Sequence, residues 1–95
     1  MAAPKEYRLH TLAWRELEEA DVRYFTREYD ISVEFLALAA ISDAPHRWPK
    51  YLHGTRRLVM QRFPFSVVYL DDPELVTIVA IAHNKRKPGY WKDRV

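Results

Sequence analysis

The 95-residue chain contains no cysteine. Disulfides and thiolate chemistry are therefore excluded, and the composition suits a reducing compartment. Glycine is almost absent, at two residues. Few positions can adopt unusual backbone angles at no cost, and there is no glycine-rich loop to cradle a phosphate. No apolar run approaches the ~20 residues that a membrane-spanning helix needs. The opening MAAPKEYRLH lacks the apolar centre of a secretory signal, so a cytoplasmic location without membrane contact is the expectation. The four histidines, His10, His46, His53 and His83, are scattered, and no two stand at i, i+4. With no cysteine to join them they do not make a metal set, and neither a metal nor another cofactor is expected.

What is present is an ordinary globular composition, 48% apolar, which the length confines to one domain spanning 1–95. A chain this short buries about two-thirds of its unfolded surface, so its core is small. The net charge of +2 hides an asymmetry. Residues 1–45 carry 5 Lys/Arg and 9 Asp/Glu, whereas residues 46–95 carry 10 and 4. The basic second half points to an acidic or polyanionic partner, against the plain alternative of a solvated basic face.

The hydrophobic period divides the chain. EYRLH (6–10) alternates and reads as a short strand. TLAWRELEEADVRYFTREYD (11–30) turns helical, with Ala13, Leu17, Ala20 and Tyr24 on one stripe, flanked by Trp14 and Phe25. Thr11 is the expected N-cap, and Glu16, Glu18 and Glu19 suit the front of the helix dipole. Trp14 is read as facing the sheet rather than a partner. ISVEFLALAAISDAP (31–45) is a second helix, capped by Asp30 or Ser32, with Ile31, Phe35, Leu38 and Ile41 as its stripe and Pro45 as its end. HRWPKYLHGT (46–55) is a connector in which Trp48 and Pro49 form a rigid lid over the core. TRRLVMQRF (55–63), FSVVYL (65–70) and LVTIVAIAH (75–83) then alternate as three strands. Pro64 marks a turn or bulge, and DDPE (71–74) a tight turn. Such close spacing permits only hairpins, so this meander is antiparallel. The expected fold class is α+β, an N-terminal helical hairpin packed on one face of a small, mainly antiparallel sheet. The other face and the strand ends remain for function.

The residues that could carry chemistry are basic and aromatic. Arg56 and Arg57 are adjacent on a strand and point to opposite faces, with Arg62 on the side of Arg56 if no bulge intervenes. After the last strand come Lys85, Arg86, Lys87, Tyr90, Trp91, Lys92 and Arg94. Metal-free RNA cleavage needs a base, an acid and cations to hold the phosphate. His83 could be the base, Arg57 and Arg86 the clamps, and Tyr90 the stacking or proton-donating group. The plain alternative is that His83 only ends a strand and that Tyr90 and Trp91 pack the tail onto the sheet.

GTRRLVMQRFPFSVVYL followed by VTIVAIAHNKRKPGYWKDR resembles the RelE/ParE superfamily of toxins from bacterial type II toxin–antitoxin modules. AWRELEEADVRYF looks like the first helix of that family, and DAPHRWPKY like its lead into the sheet. The combination RR…RFPF…VVY…AH…R.PGYW spreads the resemblance over nearly the whole chain. It implies a toxin held in a hetero-oligomer by a cognate antitoxin protein. RelE-like members cut mRNA on the ribosome, and ParE-like members poison DNA gyrase. In the RelE-like case the resemblance implies Arg57, Arg86 and Tyr90 as catalytic residues, with His83 added from the residue reading. The middle arginine of that pattern is Ser66 here, and a hydroxyl cannot clamp a phosphate as a guanidinium does. RFPF and PGYW look more like ParE-type members and plasmid-stabilisation proteins. Gyrase inhibition is thus the favoured expectation. Arg56, Arg62, Lys85, Lys87, Trp91, Lys92 and Arg94 would then meet target or antitoxin. A second helix about two turns shorter than usual keeps a third case open, a non-toxic member that only binds antitoxin.

Overall fold

The computed structural model describes residues 4–24, 33–61 and 63–95, with side chains at 21–24 and 33–36 excepted. Phe25, Asp30, Ile31, Ser32 and Arg62 lie outside the described residues, as do the side chains of Tyr24 and Phe35. The elements run β1 (Tyr7–Leu9), α1 (Thr11–Tyr24), α2 (Val33–Asp43), β2 (Arg56–Val59), β3 (Phe65–Asp71) and β4 (Val76–His83). Single 3₁₀ turns occupy Leu52–Gly54 and Lys92–Arg94.

The strands form one sheet in the order β1-β4-β3-β2. β2 and β4 both run antiparallel to β3, as their short connections require. β1 joins the free edge of β4 in parallel, which a helical crossover makes possible. The α+β class and the helix-covered face thus agree with the periodicity, and the link between α1 and α2 lies outside the described residues.

One core cluster lies between helices and sheet. Ala13, Leu17 and Ala20 of α1 and Ala37, Leu38 and Ile41 of α2 meet Leu58, Val67, Tyr69, Val76, Ile78 and Ile81. Trp48 is half-buried at its margin, where a lid was expected. Full burial of a Leu or Ile side chain is worth about 1.5–3 kcal/mol, so this layer holds the helices on the sheet. Tyr69 at its centre is 0% exposed, and its hydroxyl donates to the Pro45 carbonyl at 2.5 Å. Burial, opposed by nearby Arg56 and assisted by Asp71, pushes that phenol up to about 12.

Three details depart from the expectations above. The N-cap of α1 is His10, whose Nδ1 accepts from the Leu12 N–H at 3.1 Å while its carbonyl accepts from Trp14. An imidazole nitrogen here does what a hydroxyl or carboxylate usually does. The first turn carries no acidic residue, because Glu16, Glu18 and Glu19 fall later in the helix. Trp14 is 47% exposed. It lies one residue round from the Ala13–Leu17–Ala20 stripe, which turns it off the sheet.

The second face of the sheet is not left open. Val68, Val79, Ala80 and Ala82 form a second cluster there, closed by Trp91 at 1% exposure with Tyr51, Leu70 and Tyr90 around it. β3 and β4 are buried on both faces, so they read as near-continuous apolar runs rather than clean alternations. A register shift between Val68 and Tyr69 adds to this: Val68 pairs with Ala80 and Tyr69 with Ile78. Val79, left over between them, turns to the same side as Ala80.

Candidate functional site

Beside Trp91, the second face holds a groove of about 240 Å³. Val68, Ala82 and Ser66 floor it, the Tyr51 and Arg57 side bounds one flank, and His83, Asn84, Arg86, Lys87, Tyr90 and Trp91 bound the other. Arg57 projects from β2 onto this face because it pairs with Val68. Its guanidinium lies 4.1 Å from the Tyr51 ring centroid. Opposite, the Arg86 guanidinium lies 3.7 Å from the ring centroid of Tyr90. Each cation sits over an aromatic face, an arrangement worth about 0.5–1 kcal/mol at an exposed site. Lys87 and His83 complete the polar rim.

Arg57, His83, Arg86 and Tyr90 therefore line one groove, although 33 residues of chain separate the first from the last. Two of the four are committed elsewhere. His83 Nδ1 accepts from the Lys85 N–H at 3.1 Å. In the neutral ring the proton then sits on Nε2, a donor rather than a base. The ring also meets Phe65 edge-on at 5.2 Å. The Tyr90 hydroxyl donates to Glu16 Oε2 at 2.5 Å. Burial, with the Glu16 hydrogen bond and charge, raises its phenol well above the ordinary range, against the lowering pull of Arg86 and Arg94. Ser66 is 2% exposed and donates to Asn84 Oδ1 at 2.7 Å.

Of the other sequence-selected residues, Lys87 and Trp91 also line the groove, and the remaining described ones disperse. Arg56 turns toward the connector and donates to the Trp48 carbonyl at 2.7 Å and the His46 carbonyl at 3.2 Å. Lys85 and Lys92 are exposed on the tail. Trp91 packs inward, 6.0 Å from the Tyr51 ring and 5.8 Å from the His53 ring. Arg94 is ion-paired to Glu16 at 2.8 Å, each side chain 11% exposed. In this structure Trp91 and Arg94 hold the tail in place and present little surface to a partner.

Glu16, Tyr51, His53 and Asn84 are the site residues that sequence reasoning passed over. Glu16 had a signal. It stands three residues after Ala13 and four before Ala20, at the border of the buried stripe, where a carboxylate needs a partner. His53 adopts φ 56°, ψ 38° ahead of Gly54 at φ 76°, a left-handed pair that folds the connector back toward Trp91. Only a tertiary reason sustains that conformation in a non-glycine residue.

No family model and no curated protein matches the chain. Among solved structures, a chain described as "Chromosomal ParDE TA system from P. aeruginosa" superposes with a TM-score of 0.59 at 16% identity, covering 83% of this chain and 95% of that one. The two share a fold. Among the described residues, no group of three His, Asp or Glu could hold a metal ion, and no helix is long and apolar enough to cross a membrane.

Proposed function

We propose that this chain is the toxin of a toxin–antitoxin module, that it acts by binding DNA gyrase, and that a cognate antitoxin neutralises it in the cytoplasm. The observation that carries this reading is the fold shared with the ParDE chain over most of both lengths. A mode of action by binding is supported by the state of the proton-transfer candidates. His83 presents a donor, the Tyr90 hydroxyl is held by Glu16, and Ser66, where the RelE-like pattern has an arginine, is a buried hydroxyl bonded to Asn84. The groove rim of Arg57, Arg86 and Lys87 offers cations to an acidic surface without needing an acid/base pair. The second reading, a ribosome-dependent mRNA endonuclease, draws on the convergence of Arg57, His83, Arg86 and Tyr90 on one groove.

Induced expression without antitoxin, with pulse labelling of DNA and protein synthesis, separates the two. Filamentation with failing replication and continuing translation is the expected result. A prompt stop in translation with mRNA cut within codons would replace the first reading by the second. Normal growth from a folded chain would leave a non-toxic antitoxin-binding member.

A further inference from the structure

β1 is three residues long and pairs with β4 only from Val76 to Ile78. Among the described residues, the same edge of β4 continues to His83 with no strand beside it, and backbone groups there need partners of another kind. Two side chains supply them. Glu16 Oε1 accepts from the Ile81 N–H at 3.1 Å, and Arg94 Nη1 donates to the Val79 carbonyl at 3.1 Å. The same two side chains pair as a fork. Arg94 Nη1 meets Oε1 at 2.8 Å and Nη2 meets Oε2 at 3.2 Å, the two-pronged geometry that makes arginine–carboxylate pairs strong. Oε2 also takes the Tyr90 hydroxyl at 2.5 Å and the Arg86 guanidinium at 3.4 Å.

We propose that Glu16 is the positioning residue of the C-terminal segment: one carboxylate on α1 docks residues 86–94 against the open edge of β4 and thereby sets Arg86 in place. Arg86 and His83 line both the 240 Å³ groove and a neighbouring cavity of about 330 Å³ beside α1, so they stand on the ridge between the two. Magnitudes decide how Glu16 reaches Arg86. The direct contact is long and Arg86 is 54% exposed, a setting in which an ion pair contributes little. The stronger route runs through Tyr90. Glu16 fixes its hydroxyl, and the ring so fixed is the platform on which the Arg86 guanidinium lies.

The functional arm rests on the reading in which Arg86 meets a target; the structural arms do not. Glu16→Gln keeps the shape and removes the charge. Hydrogen exchange at the amides of 90–94 is expected to quicken about tenfold or more, while β3 amides keep their protection. The Tyr90 phenol, followed by NMR of ring-labelled tyrosine, is expected to titrate at lower pH, a change that general loosening elsewhere does not produce. Arg94→Gln added to Glu16→Gln is expected to quicken tail exchange little further, because the two side chains act as one unit. Should Glu16→Gln not fold, Arg94→Lys retains the charge, loses the fork and gives a smaller acceleration in the same amides. Unchanged tail exchange, an unchanged Tyr90 titration or fully additive effects would overturn the proposal. In cells, folded Glu16→Gln is expected to arrest growth less than the parent chain. If the parent itself arrests nothing, the toxin reading fails, and the exchange and titration results still decide the role of Glu16.

Discussion

Truncating Trp91 to alanine removes the largest side chain of the second face. Its indole is 1% exposed and closes a cluster with Val68, Val79, Ala80 and Ala82, with Tyr51 and His53 against its rings. Removing a buried tryptophan costs about 3–5 kcal/mol, the transfer term plus the cavity left behind. A chain of this length has about 5–15 kcal/mol of stability in all. The substitution therefore removes a fifth or more of it, and the urea midpoint should fall by roughly 1–5 M at an unchanged m of about 1–3 kcal/mol per M. Trp14 and Trp48 remain as fluorescent reporters, and circular dichroism gives a second probe. Trp91→Phe, which keeps a ring at the site, should fall between the two. A loss below about 1 kcal/mol for Trp91→Ala would refute the packing argument and return Trp91 to the role of an exposed partner contact. The same reasoning applies to any deletion after Lys87. It takes away Trp91 and Arg94 together, so loss of toxicity in such a truncation would reflect unfolding.

Tyr69→Phe should lower stability at neutral pH by about 1–3 kcal/mol, because the Pro45 carbonyl loses its partner. It should also change the alkaline limb. The folded phenol titrates near 12 against 10 in the unfolded chain, so its contribution is complete below pH 10 and is lost as pH rises toward 12, at about 1.4 kcal/mol per pH unit. Urea titrations between pH 9 and 12 should show a shallower decline in the variant, and identical slopes would count against the burial of Tyr69. Gly89 has φ 81°, and an added Cβ would meet His53 Nε2 at an ordinary 3.5 Å. Gly89→Ala should therefore cost about 1–2 kcal/mol, from backbone strain rather than a clash. Thermal melts would show it, and a stabilised variant would contradict the left-handed assignment.

The elements were legible where period and punctuation agreed. The Ala13–Leu17–Ala20 stripe, the DDPE turn and the short hairpin links place the start of α1, β3 and β4 close to their observed positions, whereas β2 ends at Val59, four residues short of the expected 55–63. The covering of the second face was written less plainly. FSVVYL and TIVAIA are apolar at nearly every position, which already asks for burial on both sides, but the centre of the cover is a tryptophan within a basic tail. There the lysines and arginines dominate the reading. Arg94 was expected to meet target or antitoxin, because its partner, Glu16, stands 78 residues earlier on a helix where no local pattern shows it. The convergence of Arg57 with residues 83–90 depended on the strand register, since a shift by one residue turns Arg57 to the helix side. His10 was missed as a cap because imidazole rarely fills that role.

Gyrase binding, proposed above for this chain, and RNA cleavage make opposite demands on two purified systems. The most direct measurement places the purified chain in two assays side by side: supercoiling by DNA gyrase, and mRNA integrity on translating ribosomes. The account predicts loss of supercoiling at stoichiometric chain, reversed by Arg86→Ala with Lys87→Ala, with the mRNA left whole. Full supercoiling together with cleaved mRNA would contradict it.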